Sequence, residues 1–539
     1  MNRGTRLNIL QTIIVLLVFA TAISAGVSEY YIEIQVDSQT NLNELTRLIS
    51  IDNIKGNTVF AYGTPQQLAN LENRGYFYKS LPHPGSLFSP KMGLDKNSMA
   101  DWDVYPTYPA YVAMMYQFQA DFPEYCQIID AGSSVMDHQI LVARISDNIE
   151  LEEDEPEVFL TSSMHGDETT GYVLMLRLID YLLQNYGNNE LISRLVDSCE
   201  IWINPLANPD GTYSTGDNAI YLPTRFNAMG VDLNRNYPDP DDGPHPDGNG
   251  WQAETTVMMN LAAAQSFCLA VNFHGGAEVI NYPWDTWSRL HTDDNWFIDI
   301  SRDYADSAQY YSPANYLTDR NNGITNGYAW YPITGGRQDY MNYWHGCREV
   351  LIEISDIKFL PESLLLEFWN YNRSSFLHYI ENALFGIRGV VTDEQTGLPL
   401  LASIRIPSHD SDLDSSRVFT DPDVGDYHRM IEPGTYDIEF TSAGYDTLII
   451  YDIDVSENNG IRLDVSLSIP PPYVCGDANN DSDVNIGDAV FIINLIFKGG
   501  LPPEYPEAAD ANSDGRVNVG DAVFLINFTF KGGSPPECD

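Results

Sequence analysis

Basic residues are scarce in this chain. Its 539 residues include 28 Lys and Arg against 76 Asp and Glu, a formal charge of −48. Such a surface repels phosphate backbones and anionic lipid, which argues against nucleic-acid or anionic-membrane partners. It suits cationic peptides and calcium, although general solubility explains the bulk charge equally well. Cysteine is sparse too: six residues permit disulfides, but their pairing does not follow from the sequence. Long apolar runs are confined to the start. Arg3 and Arg6 precede Ile13-Ile-Val-Leu-Leu-Val-Phe-Ala, and Ala22-Ile-Ser-Ala-Gly offers small residues for cleavage. Residues 1–25 therefore have the form of a secretory signal, the run being short for a permanent anchor. No transmembrane candidate follows, so a secreted or cell-surface location is expected.

The length bounds roughly three to four domains. Residues 26–97 alternate as strand, helix, strand, helix, strand, a small α/β sandwich that is either an accessory domain or a covering pro-segment. From 98 to 384 helices alternate with buried strands, the pattern of an α/β mixed sheet with helices on both faces. Residues 385–469 lose the helical period. Short strands punctuated by Thr396-Gly, Pro433-Gly and Ala443-Gly predict a β-sandwich. Pro470-Pro-Pro begins a stiff linker (470–474), and 475–539 contains an internal repeat of 33 residues.

Chemistry concentrates in the second of these regions. The apolar run Glu157-Val-Phe-Leu-Thr-Ser-Ser-Met ends in His165, and Glu168 opens an amphipathic helical pattern. A second apolar run, Phe267-Cys-Leu-Ala-Val-Asn-Phe, ends in His274. Two histidines and a carboxylate at strand ends can share one metal ion and leave a fourth position open. A third run, Arg348-Glu-Val-Leu-Ile-Glu353-Ile-Ser, carries a carboxylate that is costly to bury without a role. Between them, Arg225 and Arg235 flank Asn234 and supply the fork geometry that grips carboxylates.

His165-Gly-Asp-Glu168, Asn208-Pro-Asp-Gly, Asp232-Leu-Asn-Arg-Asn, His274-Gly-Gly and Gly335-Gly-Arg-Gln-Asp…Glu353 together resemble the zinc metallocarboxypeptidases. The likeness is strongest to the N/E-type regulatory branch and covers roughly residues 100–469, the β-sandwich being transthyretin-like in that branch. The resemblance implies one zinc ion on His165, Glu168 and His274, with Asp232 orienting His165. It implies Glu353 as general base, Arg225 at the scissile carbonyl, and Asn234 and Arg235 on the terminal carboxylate of a peptide or protein. Tyr331 would close over the bound residue. Asp285 and Gln338 fall where this superfamily sets specificity, and a carboxylate with an amide there is similar to the enzymes that release Lys or Arg. A turn cap after Pro283 is the other reading of Asp285. Two rival functions remain open: trimming of cell-wall stem peptides, and binding without catalysis on the same fold.

The tail resembles a type I dockerin. Asp477, Asn479, Asp481, Asn485 and Asp488 fall at positions 1, 3, 5, 9 and 12 of a calcium loop, as do Asp510, Asn512, Asp514, Asn518 and Asp521. The resemblance implies an EF-hand-like helical module with two structural calcium ions. Ser482 replaces the sixth-position Gly of the first loop, and Ile486-Gly487 and Val519-Gly520 stand where many dockerins carry a hydroxyl pair. A cohesin-like partner and a plain calcium-stapled terminus are therefore both open. Cys475 and Cys538 bracket the module and are expected to pair.

Overall fold

The computed structural model describes residues 28–37 and 40–538; the signal segment expected at 1–25 lies outside them. No helix among the described residues is long and apolar enough to cross a membrane.

At the N-terminus four antiparallel strands lie in the order Ser50–Lys55, Thr58–Gly63, Tyr30–Gln35, Tyr78–Leu81. Helices Leu42–Leu48 and Pro65–Asn73 accompany them, the second opened by a Thr64/Gln67 capping box with Pro65 in its first turn. Ile32, Ile34, Leu45, Ile51, Val59, Leu68 and Leu71 form the core of this region. The strand Ser50–Lys55 is absent from the sequence reading. Its centre, Asp52-Asn53, has poor strand propensity, and tertiary pairing overrides it.

The central sheet has eight strands, in the order Ile324–Asn326, Ala277–Tyr282, Arg348–Ser355, Leu269–His274, Glu157–Ser162, Glu200–Asn204, Gln139–Ile145, Cys126–Ser133. The four middle strands run parallel. Gln139–Ile145 and Ala277–Tyr282 pair antiparallel on either side of them, which makes the sheet mixed. Both faces are covered. Leu141 and Ala143 point into a core with residues of helices Thr170–Asn185, Asp294–Tyr310 and Leu365–Glu381. Ile140 and Val142 point oppositely, towards helices Ala253–Ala264 and Arg337–His345. Burial on both faces explains why Glu157–Ser162, Leu269–His274 and Arg348–Ser355 read as continuous apolar runs rather than alternating ones.

Past residue 385 the chain is strand-rich. Gly386–Asp393 lies between Asp426–Arg429 and Gly460–Arg462. A second sheet runs Val418–Phe419, Ser403–Arg405, Gly434–Thr441, Leu448–Val455. Buried Asp293, also paired with Arg348 of the central sheet (2.7 Å), joins this region to the central domain through Arg429 (2.8 Å) and His409 (2.7 Å).

The tail belongs to a second compact unit. Helices Ile486–Lys498 and Val519–Lys531 pack through Ala489, Ile492, Ala522 and Leu525, and Cys475 pairs with Cys538. The two calcium-type loops share one conformation. Asp477 accepts from the amides of Asp481 (3.0 Å) and Ser482 (2.7 Å), and Asp510 from those of Asp514 (3.1 Å) and Gly515 (2.7 Å). Asp488 accepts from the Asn479 and Asn485 amides, and Asp521 from those of Asn512 and Asn518. Ser482 adopts a φ of 73°, close to the 79° of Gly515. The turn thus keeps its left-handed form in the first loop without the glycine that favours it.

Candidate active site

Three parallel strands deliver the central groups to the C-terminal edge of the sheet. Beyond Glu157–Ser162, Ser163 turns the chain at a φ of 54°, and its hydroxyl donates to the Glu168 carbonyl (2.8 Å). This fold-back sets His165 against Glu168. His274 ends the adjacent strand, and Glu353 lies in register with it on the next.

His165 Nδ1 is 2.9 Å from Glu168 Oε1, and His274 Nδ1 is 2.8 Å from Glu168 Oε2 and 3.0 Å from His165 Nδ1. The three side chains are almost wholly buried. His165 Nε2 lies 3.0 Å from Asp232 Oδ1; a carboxylate only accepts, so the ring proton sits on Nε2 and a lone pair faces inward from Nδ1. Burial pushes His274 down to about 4, which keeps it neutral. Two imidazole nitrogens and the oxygens of one carboxylate thus converge at separations of 2.8 to 3.0 Å. Such a donor set fits a zinc ion with an open position.

Around this cluster the other expected residues gather. Arg225 Nε reaches Asp232 Oδ2 (3.2 Å), and its Nη1 reaches Glu168 Oε1 (3.2 Å). Burial opposes ionisation of Asp232, but Arg225 and His165 hold its pKa well below the usual range. Arg225, Asn234, Arg235, Tyr331, Asp285 and Glu353 line one cavity with the two histidines. Glu353 Oε2 has no partner among the described residues; burial and then the nearby Glu168 carboxylate raise its pKa well above the carboxylate range.

At the far end, Asp285 is 1% exposed and Oδ1 accepts from Asn281 Nδ2 (3.0 Å), while Oδ2 has no partner among the described residues. The backbone amides of Asp285 and Thr286 are held by Asp339 (3.0 and 2.8 Å), which fixes the loop. A Cβ on Gly327 would fall 1.7 Å from Asp285 Oδ1, so glycine there is required for the carboxylate to reach the cavity. Gln338 is not among the cavity-lining residues. Its Oε1 accepts from the Leu351 amide (2.9 Å), and its Nε2 is buried without a partner.

Two participants escape the sequence reading. Lys358 is buried with Nζ 2.6 Å from Glu168 Oε1 and 2.9 Å from the Gly275 carbonyl. The overlooked strand Ser50–Lys55 enters the same cavity. Asp52 Oδ1 lies 2.6 Å from Lys358 Nζ, and the Ile51 carbonyl accepts from Arg235 Nη2 (3.3 Å) and Tyr331 OH (3.4 Å). Ser50 Oγ accepts from Arg225 Nε (2.9 Å) and bonds to Asp232.

A buried His-Glu-His cluster at the C-terminal edge of a mixed sheet, with an acid opposite and a polar cavity beyond, defines a metal-dependent hydrolase. Comparison with known proteins narrows that class. Residues 111–375 match the family described as zinc carboxypeptidase, and residues 475–528 match the dockerin type I domain. The carboxypeptidase N catalytic chain of Homo sapiens is 33% identical over 403 residues, covering 67% of this chain and 86% of that protein. Carboxypeptidase D of Mus musculus is 32% identical over 393 residues, which is 70% of this chain but 27% of that much longer protein. The fold is also that of the carboxypeptidase A from Helicoverpa armigera, at a TM-score of 0.51 and 17% identity, over 65% of this chain and 97% of that one. The chain belongs to the zinc carboxypeptidase family.

Proposed function

We propose that the protein is an exported zinc carboxypeptidase that removes single C-terminal residues, Lys or Arg by preference, from peptides or proteins. The observation that carries this reading is the convergence of His165, Glu168 and His274 beside Glu353, in a cavity that Asp285 lines. His165, Glu168 and His274 would hold the zinc, which supplies Lewis acidity to the scissile carbonyl and brings the pKa of a water towards about 7. With the positive charge of bound zinc offsetting its raised pKa, Glu353 would take the proton of the attacking water and pass it to the leaving amine. Arg225 faces the oxyanion as charge develops. Asn234 and Arg235 hold the terminal carboxylate, Tyr331 covers the bound residue, and Asp285 receives its side chain, Gln338 being held behind the cavity wall by the Leu351 amide. Asp232 keeps His165 in the tautomer that offers Nδ1 inward.

In this reading residues 98–384 are the peptidase domain, 385–469 a transthyretin-like sandwich and 475–539 a dockerin-like module with two calcium ions and a cohesin-like partner. The N-terminal region is a covering segment. Its Ile51 carbonyl engages the same Arg235 and Tyr331 that would contact a substrate, and Asp52 is paired inside the site. Its connection to the peptidase domain is accessible, with Leu87 and Leu94 strongly exposed. Limited proteolysis between residues 82 and 98 is expected to raise kcat/KM on an arginine-ended peptide by about tenfold or more, in a protein carrying about one tightly held zinc. Release of the N-terminal fragment with no gain in activity would refute the covering role, and a zinc-free preparation that hydrolyses the peptide would refute the zinc reading.

A further inference from the structure

A second constellation of carboxylates lies away from the catalytic cavity and takes no part in the proposed hydrolysis. Glu157 and Glu200 open neighbouring parallel strands and stand directly beside each other in register. Like charges so placed repel, and both side chains are buried, Glu157 at 4% and Glu200 at 1% exposure. The acidic segment before the first strand adds Glu152. Ligand oxygens of Glu152, Glu157 and Glu200 all lie within 4.8 Å of one another. That is the span of oxygens facing each other across one ion with bonds of about 2.4 Å.

Glu152 and Glu157 line a cavity of about 210 Å³, which Asp421 and Asp426 also line from the strand-rich region, while Glu200 stands behind them. This volume accommodates an ion together with several waters. Arg144 pairs with Glu200 and, at 3.2 Å, with Glu152, so those two charges are partly compensated. Glu200 Oε1 accepts only from Arg144 and keeps a further lone pair. Glu157 is different. Its Oε2 is buried, borders the cavity and has no partner among the described residues, and the same holds for Glu155 Oε2. Burial, and then the adjacent Glu200, push the Glu157 carboxyl well above its ordinary pKa. Such a carboxyl stays protonated until a cation enters the cavity, and its unpartnered oxygen is then free to bind that cation.

We propose that Glu157, Glu152 and Glu200 form a binding site for a hard divalent cation of the calcium class, at the junction between the central sheet and the strand-rich region. Oxygen-only donors select calcium or magnesium over zinc, and the cavity leaves room for the waters that such ions retain. The ion neutralises the Glu157–Glu200 pair and links the start of the central strands to the Asp421–Asp426 turn. This site is separate from the His-Glu-His cluster and from the loops of the tail, and it does not depend on the hydrolytic reading.

The test is calcium binding by equilibrium dialysis of the full-length protein, with zinc present throughout, for wild type, Glu157→Gln and Glu152→Gln. Wild type is expected to bind one calcium more than the two tail loops account for. Glu157→Gln should lose that ion and retain the other two. Glu152→Gln, altered at an exposed residue, should bind the same ion at least about tenfold more weakly. Melting in chelator separates loss of binding from misfolding: Glu157→Gln should melt at or above the wild-type temperature there, because a buried group that is costly to ionise beside Glu200 is gone, and below it in calcium. Wild type binding only two calcium ions, or all three proteins binding the same number with the same affinity, would overturn the proposal.

Discussion

Replacing Glu353 with glutamine is expected to lower kcat by about 10²-fold or more while zinc stays bound. The reason is geometric. Glu353 sits in register with His274 on the adjacent strand, and Oε2 is buried in the cavity beside the His-Glu-His cluster with no partner among the described residues. Glutamine keeps the volume and the strand but cannot take a proton from water. The cluster that would hold the metal is formed by His165, Glu168 and His274, so metal content should not change. KM should move little, because Asn234, Arg235 and Asp285 are untouched. A zinc-replete Glu353→Gln protein with near-wild-type turnover would remove Glu353 from the mechanism.

Asp285→Ala is expected to abolish the preference for basic ends. On matched peptides, kcat/KM for Arg or Lys should exceed that for Phe or Leu by about 10²-fold or more in wild type. The substitution should cut the basic substrates by a similar factor and leave the apolar ones nearly unchanged. Asp285 Oδ2 is buried and unpartnered, so a guanidinium or ammonium gains a charge-assisted bond there, whereas Phe leaves the carboxylate desolvated and unpaired. Burial raises the pKa of Asp285 above the usual range. The carboxyl is charged only above that raised value, so the Arg-to-Phe ratio should shrink as the pH falls into the weakly acidic range. A wild-type preference for Phe or Leu, or an Arg preference that survives Asp285→Ala, would contradict this assignment.

The grouping of His165, Glu168 and His274 beside Glu353 was legible because three of these residues stand at or just past apolar runs. His165, His274 and Glu353 each terminate or interrupt a strand buried on both faces, where a polar residue stands out against its neighbours. The mixed sheet was legible for the same reason, since long buried strands alternating with helical periods admit few other arrangements. Lys358 and Asp52 were not. Each is a single charged residue in a locally unremarkable stretch, and only the tertiary fold brings their side chains to within 2.6 Å of each other. The strand Ser50–Lys55 was hidden by Asp52-Asn53, whose preference for turns is outweighed by pairing with Thr58–Gly63. Asp339 was likewise out of reach, because it acts through backbone amides 54 and 53 residues away in sequence. Repetition, by contrast, made the tail readable: two loops of one pattern fold into one conformation, even where Ser482 replaces the glycine.

The most direct measurement compares two peptides of identical sequence ending in arginine, one with a free carboxylate and one amidated, by mass spectrometry of the products after limited proteolysis of the N-terminal connection and with zinc present. Loss of one arginine from the free acid, at a kcat/KM at least about 10²-fold above that for the amide, is the expected result, because Asn234 and Arg235 would have no carboxylate to hold in the amide. Equal hydrolysis of both peptides, or products cut at internal bonds, would show that the protein is not a carboxypeptidase.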